Sequence, residues 1–581
     1  ALSSNTTASN NTAFGYHALL SNTTGSACVA VGKDTLDANT TGSHNTAVGN
    51  DALGANTTGL QNTAVGALAL DANTSASNNT AVGYAALSAV TTTSHNTGVG
   101  HSALALNTSG ANNAAFGSLS LDANTTGSEN TGCGRSSLSA NTTGDNNTAV
   151  GRRALGQNTT AGDNAAVGFA ALGDNTTGAN NVAVGASALD ANTTASNNTA
   201  VGKNALGANV TGTRNTGLGS NSLKASTAND NTGCGATTLF TNTSGTKNTA
   251  VGSQAMYYNE TGDNNTGLGY DALQDNTTGS DNTAVGALAL DQNTTASNNT
   301  AVGKAALGDN TTGAENTAVG SLTLDANTTG DENTAIGKSA LGSNTTGEYN
   351  TAVGKGALQS ATTANHNTAV GKTALTSCTT GTMNNAFGSN TLVASTTAEY
   401  NAAFGYAALT ATTTGSNNVA IGHVALAANT TGQYNHAMGR NALNDNTTGS
   451  YNTAISANAL QKCVTGSNNT AIGYLALDKT LEDENVAVGN YTLRENTSGE
   501  YNTATGYQAL TKNTTADNNT AFGYKSLNLN TTGSENTAVG AFALDVNTTG
   551  GDLTAVGVDA LGSNTTASFN SAFGYYALRL N

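Results

Sequence analysis

The chain has 581 residues, including 70 glycines and no proline, and its 19 basic and 36 acidic residues give a formal net charge of −17. This acidic balance argues against nucleic acid and anionic membrane surfaces as partners. No stretch approaches the roughly 18 consecutive apolar residues that a membrane-spanning helix needs, so we expect no membrane insertion, and no signal peptide is visible.

A repeat of 17 residues runs through the whole chain with the consensus A-L-x-x-N-T-T-G-S-x-N-T-A-V-G-x-x. One of its most regular positions, here called the marker glycine, recurs from Gly15 to Gly574 and is replaced only by Ser456. A fixed period is typical of a solenoid, in which each repeat buries its apolar residues against its neighbours. We therefore expect one continuous domain over residues 1–581. Because both ends lie mid-repeat without a capping unit, we also expect an excerpt of a longer chain.

Each repeat predicts two short strands, exemplified by residues 45–49 and 51–55. The apolar residue has small or β-prone neighbours and is followed by a glycine, so no helical stripe of apolar positions survives. The predicted fold is an all-β parallel β-solenoid, or β-roll, of about 34 coils with two short strands per coil. Stacked at ~4.8 Å per coil, these coils would form a rod about 160 Å long.

Two apolar columns of the repeat predict the core. One holds leucine, as at Leu53 and Leu70, and the other precedes the marker glycine, as at Val48 and Val65. The residue before this valine is alanine or glycine in every repeat, and strand alternation would turn it outward. A column that excludes larger residues indicates a tightly packed neighbour, so we expect a contact between chains there. The predicted interface residues are Ala47, Ala64 and Ala81.

Two asparagine columns accompany these strands. The first contains Asn45, Asn62 and Asn79, and its regularity predicts an internal ladder of amide side chains that also bind turn backbone groups. The second, with Asn39 and Asn56, tolerates many substitutions, which favours a turn facing solvent.

Two repeats are one residue short, within residues 225–231 and 479–485. A slip inside a strand would turn its side chains to the wrong face. We therefore expect turns to absorb both deletions.

No catalytic, cofactor or metal site is predicted. The seven histidines have no recurring partner, and the nearest cysteines that share a column lie five coils, or about 24 Å, apart. Metal binding and nucleophilic catalysis need several groups that converge on one point. We therefore expect a protein that is not an enzyme. The recurring threonines leave an ice-binding solenoid as a second alternative, although threonine is common in any β-solenoid.

The column after the marker glycine carries scattered tyrosines whose rings are able to stack on sugars. They are Tyr16, Tyr84, Tyr270, Tyr406, Tyr474 and Tyr524. They leave a glycan- or receptor-binding adhesin module as the first alternative function.

The motif N-T-A-V-G resembles the head domain of trimeric autotransporter adhesins of the YadA type. The longer pattern N-T-A-x-G-Y-x-A-L-x-x-N-T-T-G, present from Asn11 to Gly25, is similar to arrays in phage tail-fibre and related adhesin-like proteins. The resemblance implies a left-handed β-roll, with three chains around an axis, on a cell or particle surface. We therefore expect a structural extracellular fibre or filament of the adhesin-shaft or tail-fibre type, located at a cell or virion surface. Its partner would be the chain itself, as a trimer or a laterally packed filament, with a surface glycan or receptor as a further candidate.

Overall fold

The computed structural model describes residues 1–580, which form two compact units, Ala1–Thr295 and the residues from Ala296 onward. All regular elements in these residues are three-residue β-strands, and none of the described residues is helical. The first unit contains β1 (Thr12–Phe14), β2 (Val29–Val31), β3 (Thr46–Val48), β4 (Thr63–Val65), β5 (Thr80–Val82), β6 (Thr97–Val99), β7 (Ala114–Phe116), β8 (Thr131–Cys133), β9 (Thr148–Val150), β10 (Ala165–Val167), β11 (Val182–Val184), β12 (Thr199–Val201), β13 (Thr216–Leu218), β14 (Thr232–Cys234), β15 (Thr249–Val251), β16 (Thr266–Leu268) and β17 (Thr283–Val285). The second unit contains β18 (Thr300–Val302), β19 (Thr317–Val319), β20 (Thr334–Ile336), β21 (Thr351–Val353), β22 (Thr368–Val370), β23 (Asn385–Phe387), β24 (Ala402–Phe404), β25 (Val419–Ile421), β26 (His436–Met438), β27 (Thr453–Ile455), β28 (Thr470–Ile472), β29 (Val486–Val488), β30 (Thr503–Thr505), β31 (Thr520–Phe522), β32 (Thr537–Val539), β33 (Thr554–Val556) and β34 (Ser571–Phe573).

Strands of successive coils pair in parallel and in register. In the first unit, Ala47 of β3 is paired with Ala64 of β4, and in the second unit Ala318 of β19 is paired with Ala335 of β20. The chain is therefore an all-β parallel β-solenoid with a 17-residue repeat, as the sequence predicts.

Each coil contains one strand, so the second strand predicted for residues 51–55 is wrong. This segment is a turn in which Asp51 and Leu53 have left-handed φ angles of 56° and 53°. Left-handed residues at alternate positions curl the backbone instead of extending it, which brings the chain back toward the next strand.

The apolar residue before the marker glycine lies on the outside of the coil. Val48 and Val65 are only half-buried, so their assignment to the core is wrong. The cause is the length of the strand: with three residues, its first and third side chains point outward and only its middle one points inward. Leu53 and Leu70 are fully buried, and the leucine column does line the core.

The middle residue of each strand fills the core opposite the leucine. Ala47, Ala64 and Ala81 are fully buried inside their coils, so their assignment to a contact between chains is also wrong. Their small size reflects the space available, because a Cβ added at Gly98 of β6 would lie only 3.2 Å from Cγ of Leu87. A narrow core therefore explains why this column excludes larger residues.

The marker glycine allows the coils to stack closely at the bend after the strand. Gly66 has a φ of 137°, and a Cβ placed on it would lie 2.4 Å from the carbonyl oxygen of Gly83 in the next coil. Both the backbone conformation and the neighbouring coil exclude a side chain. Ser456, the exception, has a φ of 116°.

The predicted asparagine ladder is present and fully buried. The backbone N–H of Asn62 donates to Oδ1 of Asn45 at 2.9 Å, and Nδ2 of Asn45 donates to the carbonyl oxygen of Gly59 at 2.8 Å. Each amide side chain thus binds the backbone of the next coil at two points. Asn79 continues the ladder, donating from its backbone N–H to Oδ1 of Asn62 at 3.0 Å.

The second asparagine column forms another buried ladder, so its predicted exposure to solvent is wrong. Here side chains bind each other directly, with Nδ2 of Asn56 donating to Oδ1 of Asn39 at 2.8 Å. The substitutions in this column are fully buried as well. They are Val90, Ser226, Ala361, Cys378, Ser395, Thr412, Cys463 and Thr480. The column therefore varies because several small side chains fit the same buried space.

Turns absorb both one-residue deletions, as predicted. Thr216 of β13 remains paired with Thr232 of β14, and Thr470 of β28 remains paired with Val486 of β29. The strands on either side of each deletion keep their register, and the shortening falls in the loop before β14 and before β29.

Candidate functional site

The outward side chains of the strands form a continuous surface in each unit, here called the Thr–Val face. It consists of the first and third residues of every strand, such as Thr46 and Val48 on either side of the buried Ala47. The third residue is apolar in every strand except β30, where it is Thr505. Well-exposed members include Phe116, Val150, Leu268, Ile336, Phe404 and Met438. A long exposed apolar row of this kind is a candidate interaction surface.

The residue after the marker glycine forms one border of the Thr–Val face, here called the basic edge. No aspartate or glutamate occupies this position in any repeat, although the chain has 36 acidic residues. Nine of the 19 basic residues lie there: Lys33, Arg135, Arg152, Lys203, Lys304, Lys338, Lys355, Lys372 and Arg440. Nine aromatic residues share the column: Tyr16, Tyr84, Phe169, Tyr270, Tyr406, Tyr474, Tyr507, Tyr524 and Tyr575.

The opposite border precedes the strand and is acidic. This acidic edge consists of the two residues before the first asparagine ladder, such as Ser43 and His44. Seventeen of the 36 acidic residues lie there: Glu129, Asp145, Asp163, Asp230, Asp263, Asp281, Glu315, Asp331, Glu332, Glu348, Glu399, Asp483, Glu484, Glu500, Asp517, Glu535 and Asp552. Only Arg214 and Lys247 add positive charge to it. The Thr–Val face therefore has an acidic border on one side and a basic, aromatic border on the other.

Aromatic rings of neighbouring coils contact each other along the basic edge. Tyr84 stacks on His101 with ring centroids 5.4 Å apart, and Tyr406 stacks on His423 at 5.3 Å. The longest run joins five rings in five successive coils: Tyr474, Tyr507 and Tyr524 of the basic edge, and Tyr491 and Phe542 one position further along the chain. Two tyrosines that the sequence suggested as scattered sugar contacts, Tyr474 and Tyr524, thus belong to one array. Tallying this column for charge and aromatic content would have identified the edge from the sequence.

The described residues contain neither a pocket nor a group of three or more potential metal-ligating side chains. The buried cysteines are poor nucleophiles, because burial raises the pKa of the Cys378 thiol to about 11 and that of Cys463 to about 12. Among residues 1–580 no helix has the length and apolar character needed to cross a bilayer. The surfaces worth considering for function are therefore the Thr–Val face and its two charged edges.

No protein-family model matches this chain, and no curated protein matches it at a significant level. The observed strand pairing supports the parallel β-solenoid independently of any relative.

Proposed function

We propose that this chain is a structural fibre or filament component at a cell or virion surface, of the adhesin-shaft or tail-fibre type, that self-associates through its Thr–Val face. The observation that carries the proposal is the unbroken repetition of one sheet, two buried amide ladders and one apolar outer row within each unit. Such a design supplies stiffness and a long uniform surface. The resemblance to adhesin heads supports the surface location.

The size of the Thr–Val face fits a second copy of the chain as its partner. In the first unit, 17 strands at ~4.8 Å spacing and a width of three residues give a face of about 800 Å². A stable protein interface buries about 800 Å² per partner. Only a partner with the same repeat length would match this row over its whole extent.

The charged edges favour chains that run in the same direction. When two Thr–Val faces pack with a two-fold axis along the stack of coils, the acidic edge of each copy lies against the basic edge of the other. Reversing one copy places acidic against acidic edges, which is repulsive. A three-fold arrangement of parallel chains also joins opposite edges, so the charge pattern selects parallel order.

An ice-binding role is less well supported by the same face. Ice recognition needs a flat, regular array, whereas Phe116, Phe387, Phe404 and Phe522 add bulky rings to the face at irregular intervals. Phe387 and Phe404 instead stack at 4.9 Å, as rings do inside an interface. Purified protein should show no thermal hysteresis in ice-growth measurements.

Light scattering on the full chain tests the structural proposal. The particle mass should be at least twice the 57.2 kDa chain mass and a multiple of it. The triple variant Val48→Lys, Val65→Lys and Val82→Lys should lower the particle mass, because it places charges in the apolar row of three adjacent coils. Thr41→Lys, Thr58→Lys and Ser75→Lys add the same charge at exposed turn positions of neighbouring coils and serve as the control.

Cross-linking tests the parallel order with a natural probe. Cys133 is the exposed third residue of β8, and Cys234 holds the same position in β14. A short bis-maleimide should therefore join Cys133 to Cys133 and Cys234 to Cys234 of different copies. A stable monomer, an equal loss of mass in the control variant, or links between Cys133 and Cys234 alone would contradict the proposal.

A further inference from the structure

One stretch of the second unit, at and just beyond the basic edge, combines the five-ring run with a concentration of cations. Ring centroids are 5.5 Å apart for Tyr474 and Tyr491, 6.0 Å for Tyr491 and Tyr507, and 5.7 Å for Tyr507 and Tyr524. Phe542 completes the run at 5.2 Å from Tyr524. Four of these rings, all except Tyr491, are between 38% and 44% exposed, which is high for rings that contact each other.

Five cations in five successive coils accompany these rings. They are Lys462, Lys479, Arg494, Lys512 and Lys525. Together with the five rings they are here called the aromatic–basic strip. The guanidinium of Arg494 lies 5.8 Å from the Tyr491 ring, and the ammonium of Lys525 lies 5.5 Å from the Tyr524 ring. This density of cations is unusual in a chain with a net charge of −17.

Three carboxylates accompany these cations: Asp478 and Glu495 lie among them, and Asp545 interacts with Lys525. Lys479 donates a hydrogen bond to Glu495, and Nε of Arg494 lies 3.7 Å from Oε1 of the same residue. That Nε is buried and donates no hydrogen bond. Within the described residues, the three remaining lysines of the strip form no ion pair within 4.0 Å. With five cations against three carboxylates, the strip retains a net positive charge.

We propose that the aromatic–basic strip binds a linear acidic polysaccharide, with uronic acid units as its charged component. The C–H faces of pyranose rings pack on exposed aromatic side chains, and sugar carboxylates pair with the flanking lysines and Arg494. The strip is linear because its residues recur at ~4.8 Å along the stack of coils, which suits an extended chain of sugar units.

The charge balance favours a polysaccharide over single-stranded nucleic acid. Five cations against three carboxylates leave two net positive charges on the strip, whereas nucleic acid binding relies on many phosphate contacts. Asp445 also lies just beyond the Lys462 end of the cation row. A polymer with sparse charge and apolar ring faces suits this arrangement better.

Binding of the full chain to polygalacturonate tests this proposal, and fully methyl-esterified polygalacturonate offers the same backbone without charge. Affinity electrophoresis should show retention by the acid form only, weakening as salt rises from about 0.05 to 0.3 M. Tyr507→Ala with Tyr524→Ala, and separately Lys512→Gln with Lys525→Gln, should each weaken binding about tenfold or more. The control, Tyr84→Ala with Lys203→Gln, removes one ring and one lysine of the basic edge outside the strip and should leave binding unchanged.

Four results would overturn the proposal: no retention by polygalacturonate, equal retention by the methyl ester, an equal loss in the control variant, or tighter binding of oligothymidylate to the same strip. Far-UV circular dichroism checks the fold of each variant. If the tyrosine variant is misfolded, the test rests on the lysine variant, which keeps every aromatic ring and should still bind polygalacturonate more weakly. The lysine variant changes no residue of the Thr–Val face or of the basic edge, so particle mass in light scattering stays unchanged in that variant. Failure of glycan binding is thereby distinguishable from failure of self-association.

Discussion

At the scale of single residues, the marker glycine is the least replaceable position of the repeat. Gly66→Ala forces a side chain onto a φ of 137° and brings its Cβ to 2.4 Å from the Gly83 carbonyl oxygen. We expect a loss of at least about 3 kcal/mol, because backbone strain and a steric clash with the next coil add together. Hydrogen exchange of the backbone amides around the altered coil measures this loss locally.

Matched substitutions separate this effect from the general cost of replacing glycine. A Cβ at Gly54 would lie 3.4 Å from its nearest neighbour, so Gly54→Ala should change stability by no more than about 0.5 kcal/mol. Ser456→Gly should stabilise its coil, since it relieves a φ of 116°. Equal exchange rates for the Gly66 and Gly54 variants would show that close stacking does not explain the column.

The sequence predicts which residues are regular, but not which side of the coil each one occupies. Leu53 could be assigned to the core because leucine is large, apolar and almost invariant in its column. The pattern N-T-A-V-G is compatible with either the alanine or the valine pointing into the coil. The sequence favours Val48 inside and Ala47 outside, whereas in the structure Ala47 is buried and Val48 lies on the outside. What decides is the room left by the leucine side chain, which only the folded coil defines.

At the scale of the ladders, each amide side chain contributes mainly by satisfying backbone groups that would otherwise be buried without partners. Asn62→Leu removes the acceptor of the Asn79 N–H, while the Ala76 carbonyl keeps a second donor in Asn73. We expect a cost of about 1–3 kcal/mol, the penalty for one buried unsatisfied group. Faster exchange of the Asn79 amide, with little change several coils away, is the expected measurement.

A substitution that restores a ladder asparagine can be made at Cys28, which occupies the asparagine position in its coil. Its Sγ contacts the Gly42 carbonyl oxygen at 3.3 Å, a weaker bond than the amide makes at Asn45 to Gly59. Cys28→Asn should therefore slow exchange of the Asn45 amide and stabilise this coil by about 0.5–1.5 kcal/mol. Unchanged hydrogen exchange in both variants would mean that the asparagine ladder stabilises the coils by packing and not by its hydrogen bonds.

The two ladders differ in how far the sequence reveals them. The first was predictable because it accepts almost no substitution, and each member binds backbone groups of the next coil at two points. The second was missed because Cys378 and Cys463 stand in for asparagine, each placing Sγ near the carbonyl that an amide would bind. Variation in a column therefore indicates tolerance of side-chain chemistry and gives no measure of exposure.

At the scale of the whole molecule, stability should rise as the pH falls from 7 toward about 4. Burial raises the pKa of the aspartates that follow the core leucine. They are Asp37, Asp71, Asp122, Asp190, Asp325, Asp478 and Asp545. A raised folded-state pKa means that the folded chain binds the proton more tightly than the unfolded chain. The stabilisation is fully present below the unfolded pKa near 4 and is lost as pH rises through the folded pKa.

Ion-paired carboxylates act in the opposite direction but at lower pH. Hydrogen bonding from Lys33 lowers the pKa of Asp34, and Lys479 does the same for Glu495, so the stability that these ion pairs contribute is lost only as pH falls below about 4.

Thermal unfolding followed by circular dichroism should therefore show its highest midpoint near pH 4 rather than at neutrality. Asp71→Asn with Asp122→Asn should raise the midpoint at pH 7 and flatten this profile, because it removes two of the half-buried charges. Asp34→Asn should instead lower the midpoint at pH 7, and this difference should shrink as the pH falls below about 4 toward the lowered pKa of Asp34. A midpoint that falls steadily from pH 7 to 4 would mean that the ion pairs outweigh the buried aspartates along the coils.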